Sequence, residues 1–215
     1  HAFDADALEQ LTGQPVDAKS FAVRSARDGE IFVGLDDQKR NLDSRVQVVT
    51  CHDRPVAVAG VMGSLESGVT AQTRNIWLES ALFAPPRVRQ SARALGLRTD
   101  ASSRFEKGLP VEMTLPCSAR ASALLNQEFG SSELGRWVGG SGPADAAPVL
   151  LRRSALHQLL GPLDAADGPE DLDDTSIENC LTALGCQLSA HEQGWQVIAP
   201  PSRRQDLQRE VDLIE

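Results

Sequence analysis

Glu79 is the residue whose surroundings most suggest chemistry, because it interrupts an apolar run. Isoleucine, tryptophan and leucine precede it at 76–78, and mostly apolar residues follow it as far as Phe83. A carboxylate in such a run costs free energy unless it is paired or contacts a ligand. Two interpretations follow. The residues alone favour a strand-end glutamate that reaches solvent, and the alternative is a side chain that contacts a bound molecule.

Two short patterns could complete a binding site around such a carboxylate. Gly60 and Gly63 flank a Val-Met pair, and glycines permit a positive φ and a close approach of a ligand to the backbone. Thr99 and Ala101 lie in the run RTDASSR at 98–104, where Thr99 or Asp100 is suited to cap a helix. Taken alone, these patterns predict a turn and a capped helix start.

The elements that must position these residues form a mixed series. Short apolar runs predict strands at residues 21–23, 31–35, 47–51, 56–59 and 76–83. A turn is expected at Asp28-Gly29 between the first two strands. Pro85-Pro86 predicts the start of a helix that buries Val88, Ala92 and Leu95 and ends at Gly96, and another helix is expected over 111–128.

The Gly- and Pro-rich stretch at 139–148 predicts a domain boundary, with domains at 1–147 and 148–215. The second part predicts a helix over 154–160, a solvated loop at 164–174 and a helix capped by Thr175 or Ser176. A hairpin and a last helix beginning near Ser202 follow. The expected fold class is α+β: a mixed α/β module followed by a small, incomplete winged-helix-like domain.

Charge and hydropathy limit the classes of partner. The 215 residues carry a net charge of −9, and residues 149–215 hold 5 basic against 12 acidic side chains. A surface that grips many phosphates should be basic, so an RNA partner is expected to be touched locally, and duplex DNA is not expected. No apolar stretch approaches the roughly 20 residues that cross a bilayer, so no membrane partner is expected.

Four segments resemble, in order and spacing, the editing module of bacterial phenylalanyl-tRNA synthetase beta subunits. They are HAFD at 1–4, VAVAGVMGSLESGVT at 56–70, IWLESALFAP at 76–85 and GLRTDASSRFEKGLP at 96–110. LTALGC at 181–186 and PPSRRQDLQREVDLIE at 200–215 are similar to the domain that follows it. Because the chain opens on His1 and stops within a charged helical pattern, both domains are expected to be truncated pieces of a longer protein.

The resemblance implies a cytoplasmic α₂β₂ heterotetramer that joins phenylalanine to tRNA(Phe). Its alpha subunit carries the aminoacylation chemistry and uses ATP. The beta subunit hydrolyses tyrosine wrongly attached to that tRNA, and this editing step needs no cofactor. Two alternatives stay open: a non-catalytic tRNA-binding and subunit-assembly module, or a freestanding editing factor.

The resemblance also assigns roles to individual residues. It implies that His1, Glu79 and Thr99 are the catalytic residues. Glu79 is expected to contact the tyrosine hydroxyl, Thr99 to lie on the pocket, and His1 to position water or the ester. The substrate-binding wall is expected to comprise Gly60, Gly63, Glu79 and Ala101, with the last kept small to leave room for the amino acid.

A metal site is implied near the end of the chain. Asp206, Asp212 and Glu215 match family positions that bind Mg²⁺ beside the alpha subunit, and oxygen ligands suit that ion. On one helix only Asp212 and Glu215 would be neighbours, so Asp206 must precede the helix if all three are to converge. A solvated acidic face is the alternative. The roles of Arg98, Arg104 and Lys107, toward RNA phosphates or as ion-pair partners, are left open.

Overall fold

The computed structural model describes residues 1–140, 146–165 and 168–215, which divide into two compact units. The first unit holds residues 1–109 and 113–140, and the second holds residues 110–112 with the described residues after 145. The linker predicted at 139–148 falls partly on residues 141–145, which lie outside the described residues. The boundary between 147 and 148 therefore stays a prediction.

Within its described residues, the first unit combines short strands with four α-helices. The strands are β1 (Ala2–Asp4), β2 (Phe21–Ser25), β3 (Ile31–Val33), β4 (Lys39–Asn41), β5 (Gln47–Cys51), β6 (Arg54–Val58), β7 (Met62–Gly63) and β8 (Ile76–Leu78). The helices are α1 (Ala5–Thr12), α2 (Pro85–Leu95), α3 (Asp100–Phe105) and α4 (Thr114–Phe129).

An antiparallel sheet of order β2-β5-β6-β7 forms the centre of this unit. Its core side chains Val48, Val56 and Val58 are fully buried, because β-branched residues pack well on a pleated surface. The turn predicted at Asp28-Gly29 is present, but β2 pairs with β5 and β3 pairs with β4. A local turn signal does not specify which strands pair, so sequence reasoning left these partners open.

Helix α2 covers the central sheet and has the predicted limits. Its first residue is Pro85, and Gly96 ends it with a φ of +64°. Val88 and Ala92 are buried and Leu95 packs partly buried against the same core, as predicted. Ser91 lies on this inner face, and its hydroxyl accepts a hydrogen bond of 2.9 Å from the backbone N–H of Gln47. The next predicted helix is also present, as α4, which starts at Thr114.

The strand predicted over 76–83 is shorter than expected. β8 ends at Leu78, the last of its three residues paired with β1. The later part of the apolar run packs for a different reason. The Phe83 ring is buried and lies 5.4 Å from the Phe105 ring, centroid to centroid. The first part of the apolar run therefore forms strand β8, and its last residue makes a separate aromatic contact. Glu79 lies between the two parts.

The second unit combines a three-stranded sheet of order β12-β13-β9 with helices. Its elements are β9 (Val149–Arg152), α5 (Arg153–Leu160), β10 (Leu163–Ala165), β11 (Gly168–Glu170), α6 (Asp174–Ala183), β12 (Gln187–His191), β13 (Gly194–Ile198) and α7 (Glu210–Ile214). Leu151 and Trp195 are buried at the centre of its core. The predicted hairpin is β12-β13, and β9 joins it as a third strand that was not predicted.

Three predictions for the second unit were wrong: the loop at 164–174, the cap at Thr175 or Ser176, and the continuous last helix. The acidic stretch 164–174, expected to be a loop, contains the strand pair β10-β11, and Asp173 caps α6 by accepting a 2.9 Å hydrogen bond from the Ser176 N–H. The last helix does not run continuously from Ser202. A short 3₁₀ turn at Pro201–Arg203 is followed by the separate helix α7.

The predicted α+β class is confirmed, since both units contain helices together with antiparallel sheets. In the described part of the chain, no helix is both long enough and apolar enough to span a bilayer.

Candidate functional site

The candidate site begins where strands β1 and β8 end, because this pairing sets His1 opposite Glu79. The Glu79 N–H donates to the His1 carbonyl at 2.7 Å, and the His1 amino group donates to the Glu79 carbonyl at 2.8 Å. Directly opposed residues of an antiparallel pair project their side chains from the same face of the sheet. Backbone pairing therefore sets a histidine and a glutamate that are distant in sequence opposite each other.

Glu79 is half-buried, and one oxygen of its carboxylate is buried and unsatisfied. Its Oε2 atom has no hydrogen-bond partner among the described residues. Burial raises the pKa of Glu79 above its ordinary value. A buried polar atom without a partner costs free energy, so this oxygen is suited to meet a polar group of a bound molecule.

Residues 60–63 comprise part of the turn between β6 and β7 together with strand β7, and we call them the glycine turn. Each of its two glycines is needed for a different contact. Gly60 has a φ of +67°, and a Cβ there would lie 3.1 Å from a Phe83 ring carbon and 3.2 Å from Phe105. A Cβ on Gly63 would lie 2.3–2.5 Å from His1 ring atoms. Since the missing side chain lets the ring approach, the His1 imidazole lies directly against the Gly63 backbone.

Thr99 fastens helix α3 to this turn. Its hydroxyl donates a hydrogen bond of 2.8 Å to the Val61 carbonyl and accepts one of 3.0 Å from the Ser102 N–H. The Ser102 hydroxyl accepts a hydrogen bond of 2.9 Å from the Thr99 N–H, which completes a capping box. The capping turn considered from the sequence is thus present. Both hydrogen-bonding capacities of the Thr99 hydroxyl are in use.

The structure joins most of the predicted site residues into one connected group. His1 faces Glu79 and rests on Gly63, while Thr99 is bonded to Val61 in the same turn. Ala101 lies in the first turn of α3, two residues after Thr99, and is exposed to solvent. Its methyl group adds little bulk beside the capped helix start.

Leu35 belongs to this group and was missed by sequence reasoning. Its Cδ1 atom would lie 3.1 Å from a Cβ on Gly63, and its backbone N–H donates to the Gly63 carbonyl at 3.0 Å. The side chain is 47% exposed, although it is apolar. The residue follows strand β3, and no local pattern connects that strand end to Gly63, 28 residues later.

The predicted metal ligands do not form a cation site in this arrangement. Asp206 precedes α7 as predicted, but its carboxylate accepts from Arg203 Nε at 2.7 Å. Asp212 pairs with Arg209 at 2.6 Å, and this guanidinium lowers the pKa of Asp212 to about 2. No group of three potential metal ligands converges anywhere in the described ranges, and this includes Glu215. Binding Mg²⁺ would require these ion pairs to open.

Family comparisons agree with the two units. Residues 1–130 match the B3/4 domain family, and residues 149–215 match the tRNA synthetase B5 domain. The chain therefore belongs to the B3/4 domain family, here joined to a B5 domain.

The particular proteins that the chain resembles are phenylalanine–tRNA ligase beta subunits. It is 95% identical over all 215 residues to the one from Synechococcus sp. strain CC9605 and 67% identical to that of strain CC9902. The Prochlorococcus marinus NATL2A subunit is 39% identical over 224 aligned residues. The chain spans 27% of the length of each of these relatives. The resemblance to the beta subunit that the sequence motifs indicated is confirmed.

Proposed function

We propose that the first unit is an editing site that hydrolyses tyrosine wrongly esterified to tRNA(Phe). The observation that carries this proposal is the buried Oε2 of Glu79, which lacks a hydrogen-bond partner among the described residues and lies at a strand end opposite His1. The B3/4 family match and the relatives named phenylalanine–tRNA ligase beta subunit support it.

The chemical problem explains why such a carboxylate is useful. Tyrosine differs from phenylalanine by one hydroxyl, and a hydrophobic pocket rejects an added hydroxyl by only about a hundredfold. A site that hydrogen-bonds the hydroxyl discriminates by roughly ten-thousandfold, because phenylalanine would leave the polar partner buried and unpaired. Glu79 supplies that partner. The protein already bears the cost of burying it, so a tyrosine hydroxyl recovers a bond that phenylalanine cannot form.

The remaining residues shape and position the substrate. Gly63 permits close packing at the turn, and His1 lies against it, where its imidazole can orient a water molecule or the ester. That water attacks the ester carbonyl carbon, the bond to the ribose oxygen breaks, and the products are tyrosine and tRNA with a free 3′-terminal hydroxyl. An aminoacyl ester is labile enough for positioning to supply much of the rate. No ATP or metal takes part in this step.

Thr99 acts in this scheme as a positioning residue. Because its hydroxyl is committed to Val61 and Ser102, it holds the turn and the helix start that carries Ala101. The small Ala101 leaves room for the amino acid beside that helix start. The substrate-binding wall in this proposal is the one that the sequence suggested, and Thr99 supports that wall through its hydrogen bonds.

The wider assembly is part of the same proposal. Since the relatives are beta subunits, we propose that the chain works with an alpha subunit in an α₂β₂ cytoplasmic ligase, where the alpha subunit uses ATP to charge tRNA(Phe). Mg²⁺ at Asp206, Asp212 and Glu215 would belong to that assembled state. Editing by the first unit does not depend on it.

The test is hydrolysis of preformed Tyr-tRNA(Phe) and Phe-tRNA(Phe) by the chain and by Glu79→Gln and Glu79→Ala variants. We expect faster release of tyrosine than of phenylalanine, with this preference lost in the alanine variant. Glu128→Gln, an exposed glutamate on α4, is the matched control and should keep the preference. Release at the rate of buffer alone, with tRNA binding retained, would instead support the non-catalytic tRNA-binding and assembly module.

A further inference from the structure

A groove rich in arginine lies on the outer face of helix α2, and none of its lining residues is a candidate site residue. It has a volume of about 530 Å³, and we call it the basic groove; it is lined by Arg45, Pro86, Arg87, Arg89, Gln90, Arg93 and Ala94. Four of these seven residues carry a guanidinium group. Such a concentration is unusual in a chain whose net charge is −9.

The sequence around the helix has the same local bias. Residues 85–107 contain six basic and two acidic side chains, a net charge of +4, so the remainder of the chain carries −13. This positive segment is therefore the part of an acidic protein to which a polyanion would be drawn. Local charge steers such association even where the total charge opposes it.

The geometry of α2 directs this charge outward. Val88, Ser91 and Ala92 form the buried face against the core, and Arg89 and Arg93 lie on the solvent side of the helix. These two arginines are four residues apart, so their side chains are neighbours on one face, with about 6 Å of helix axis between them.

Arg45 pairs with Asp43 at 2.6 Å, and the other three arginines of the groove are poorly neutralised. The Arg93 guanidinium makes no hydrogen bond or ion pair with any residue in the described ranges, while the Arg93 backbone carbonyl accepts one of 3.2 Å from the Gly96 N–H. Arg89 donates a hydrogen bond of 3.3 Å to the Glu106 carbonyl oxygen, and its one neighbouring carboxylate is distant, with 3.9 Å between the Arg89 Nε and the Glu106 Oε2. Arg87 donates only to uncharged acceptors, Gln90 and Ser25. An arginine that serves stability alone gains most from a close carboxylate, and these three lack one.

We propose that the basic groove binds the phosphate backbone of RNA, and, since this rests on the proposed function, that the RNA is tRNA(Phe). The planar guanidinium fork matches phosphate oxygens and can contact two at once. No aromatic ring lines the groove, so it offers no platform for stacked bases. Contacts to the backbone alone hold an RNA in place without reading its sequence.

The test measures binding of the chain to uncharged tRNA(Phe) by fluorescence anisotropy over a range of salt concentrations. The double substitution Arg89→Gln/Arg93→Gln should raise Kd about tenfold near 0.1 M salt. It should also reduce the slope of log Kd against log salt concentration by about one for each phosphate that the groove no longer neutralises. The double substitution to lysine keeps the charge and should recover part of the affinity. Thermal unfolding should be unchanged, because both residues are exposed.

Arg120→Gln is the matched control, since Arg120 is an exposed arginine on α4 that, like Arg93, pairs with no described residue. It should bind tRNA as the parent chain does. Equal binding by the Arg89/Arg93 variant and the control would overturn the groove proposal. Groove-dependent binding of anionic lipid vesicles with no binding of RNA would also overturn it, in favour of a membrane contact.

Hydrolysis separates this proposal from the editing function. Near saturation the arginine variants should release tyrosine at the parent rate, with a higher KM. If Glu79 substitutions did not alter selectivity but RNA binding still depended on the groove, the editing proposal would be overturned and the groove proposal would remain. In the converse pattern, the arginine variants would edit normally and bind RNA with unchanged affinity. That result would support the editing proposal and overturn the groove proposal.

Discussion

The hydroxyl of Thr99 donates a hydrogen bond of 2.8 Å to the Val61 carbonyl, and this bond fastens the start of helix α3 to the glycine turn. The same turn supports the His1 ring at Gly63. A helix start, a turn and a chain segment distant in sequence therefore depend on one another. Substitutions in any of the three should therefore alter the geometry of the candidate site.

The first prediction concerns Thr99 itself. Thr99→Ala removes the cap of α3 together with the bond to Val61, so the free energy of unfolding should fall by about 1–2 kcal/mol. Thr99→Ser keeps both hydrogen-bonding capacities and should stay within about 0.5 kcal/mol of the parent chain. Chemical denaturation of the two variants measures this difference.

Editing assays then test the positioning role of Thr99. If it acts by holding the turn, Thr99→Ser should retain hydrolysis of Tyr-tRNA(Phe), and Thr99→Ala should lose it in part. Complete loss in the serine variant, with a normal free energy of unfolding, would show that the threonine methyl group meets the substrate and that positioning is not its main task.

The two glycines of the turn give a second prediction, because they differ in what a methyl group would meet. Gly63→Ala places a Cβ within 2.5 Å of the His1 ring, and this exposed ring can move aside. The free energy of unfolding should change little, while tyrosine release should slow about tenfold or more, since small displacements of positioned groups cost rate.

Gly60→Ala is the contrasting variant. Its φ of +67° is unfavourable for alanine by about 1–2 kcal/mol, and the Phe83, Phe105 and Val88 side chains leave little room for a Cβ. Unfolding measurements should show a clear loss of stability. A stable Gly60→Ala chain, or a Gly63→Ala chain with full hydrolysis, would contradict these assignments.

Much of this site was accessible from the sequence because its local signals are strong. Gly60 and Gly63 mark a turn, Thr99 marks a helix start, and Glu79 stands out in an apolar run. The pairing of β1 with β8 was not predicted, since a three-residue strand carries almost no pattern and its partner is more than 70 residues away. Leu35 was missed for the same reason, because its contact depends on tertiary structure alone.

The last helix shows a different limit of sequence reasoning. The charged stretch after Ser202 reads as one helix, yet the Asp212 carboxylate accepts hydrogen bonds from the backbone N–H groups of Gln208 and Arg209. An acid at the third position of a helix that reaches back in this way starts a new helix. The capping acid at Asp212 was present in the sequence. Whether it would outweigh the continuous charged pattern could not be judged without the structure.

Ala101 provides a third prediction. It is exposed in the first turn of α3, so Ala101→Trp should leave the free energy of unfolding within about 0.5 kcal/mol of the parent value. If the substrate occupies the space beside this helix start, the indole will fill it and hydrolysis of Tyr-tRNA(Phe) should be abolished. Ser103→Trp, on the same short helix, is the control for bulk alone. Intact hydrolysis in Ala101→Trp would remove Ala101 from the binding wall.

The fourth prediction follows from the raised pKa of Glu79. Because burial raises this pKa above its ordinary value of 4.5, the folded chain retains a proton that the unfolded chain releases. The stability that the protonated group contributes is therefore fully present below about pH 4.5. It is lost as the pH rises through the folded-state pKa.

The glutamine in the Glu79→Gln variant cannot ionise, so this variant should not lose that contribution to the free energy of unfolding as the pH rises. Its free energy of unfolding should equal that of the parent chain near pH 4 and exceed it by about 1 kcal/mol at neutral pH, on the scale of one unpaired buried polar group. Urea denaturation of both chains from pH 4 to pH 8 measures the difference, and titrations common to both cancel. Glu128→Gln should show no such trend. A difference that shrinks with rising pH would mean that the carboxylate is stabilised in its charged form, and the tyrosine hydroxyl would then have to displace an existing partner.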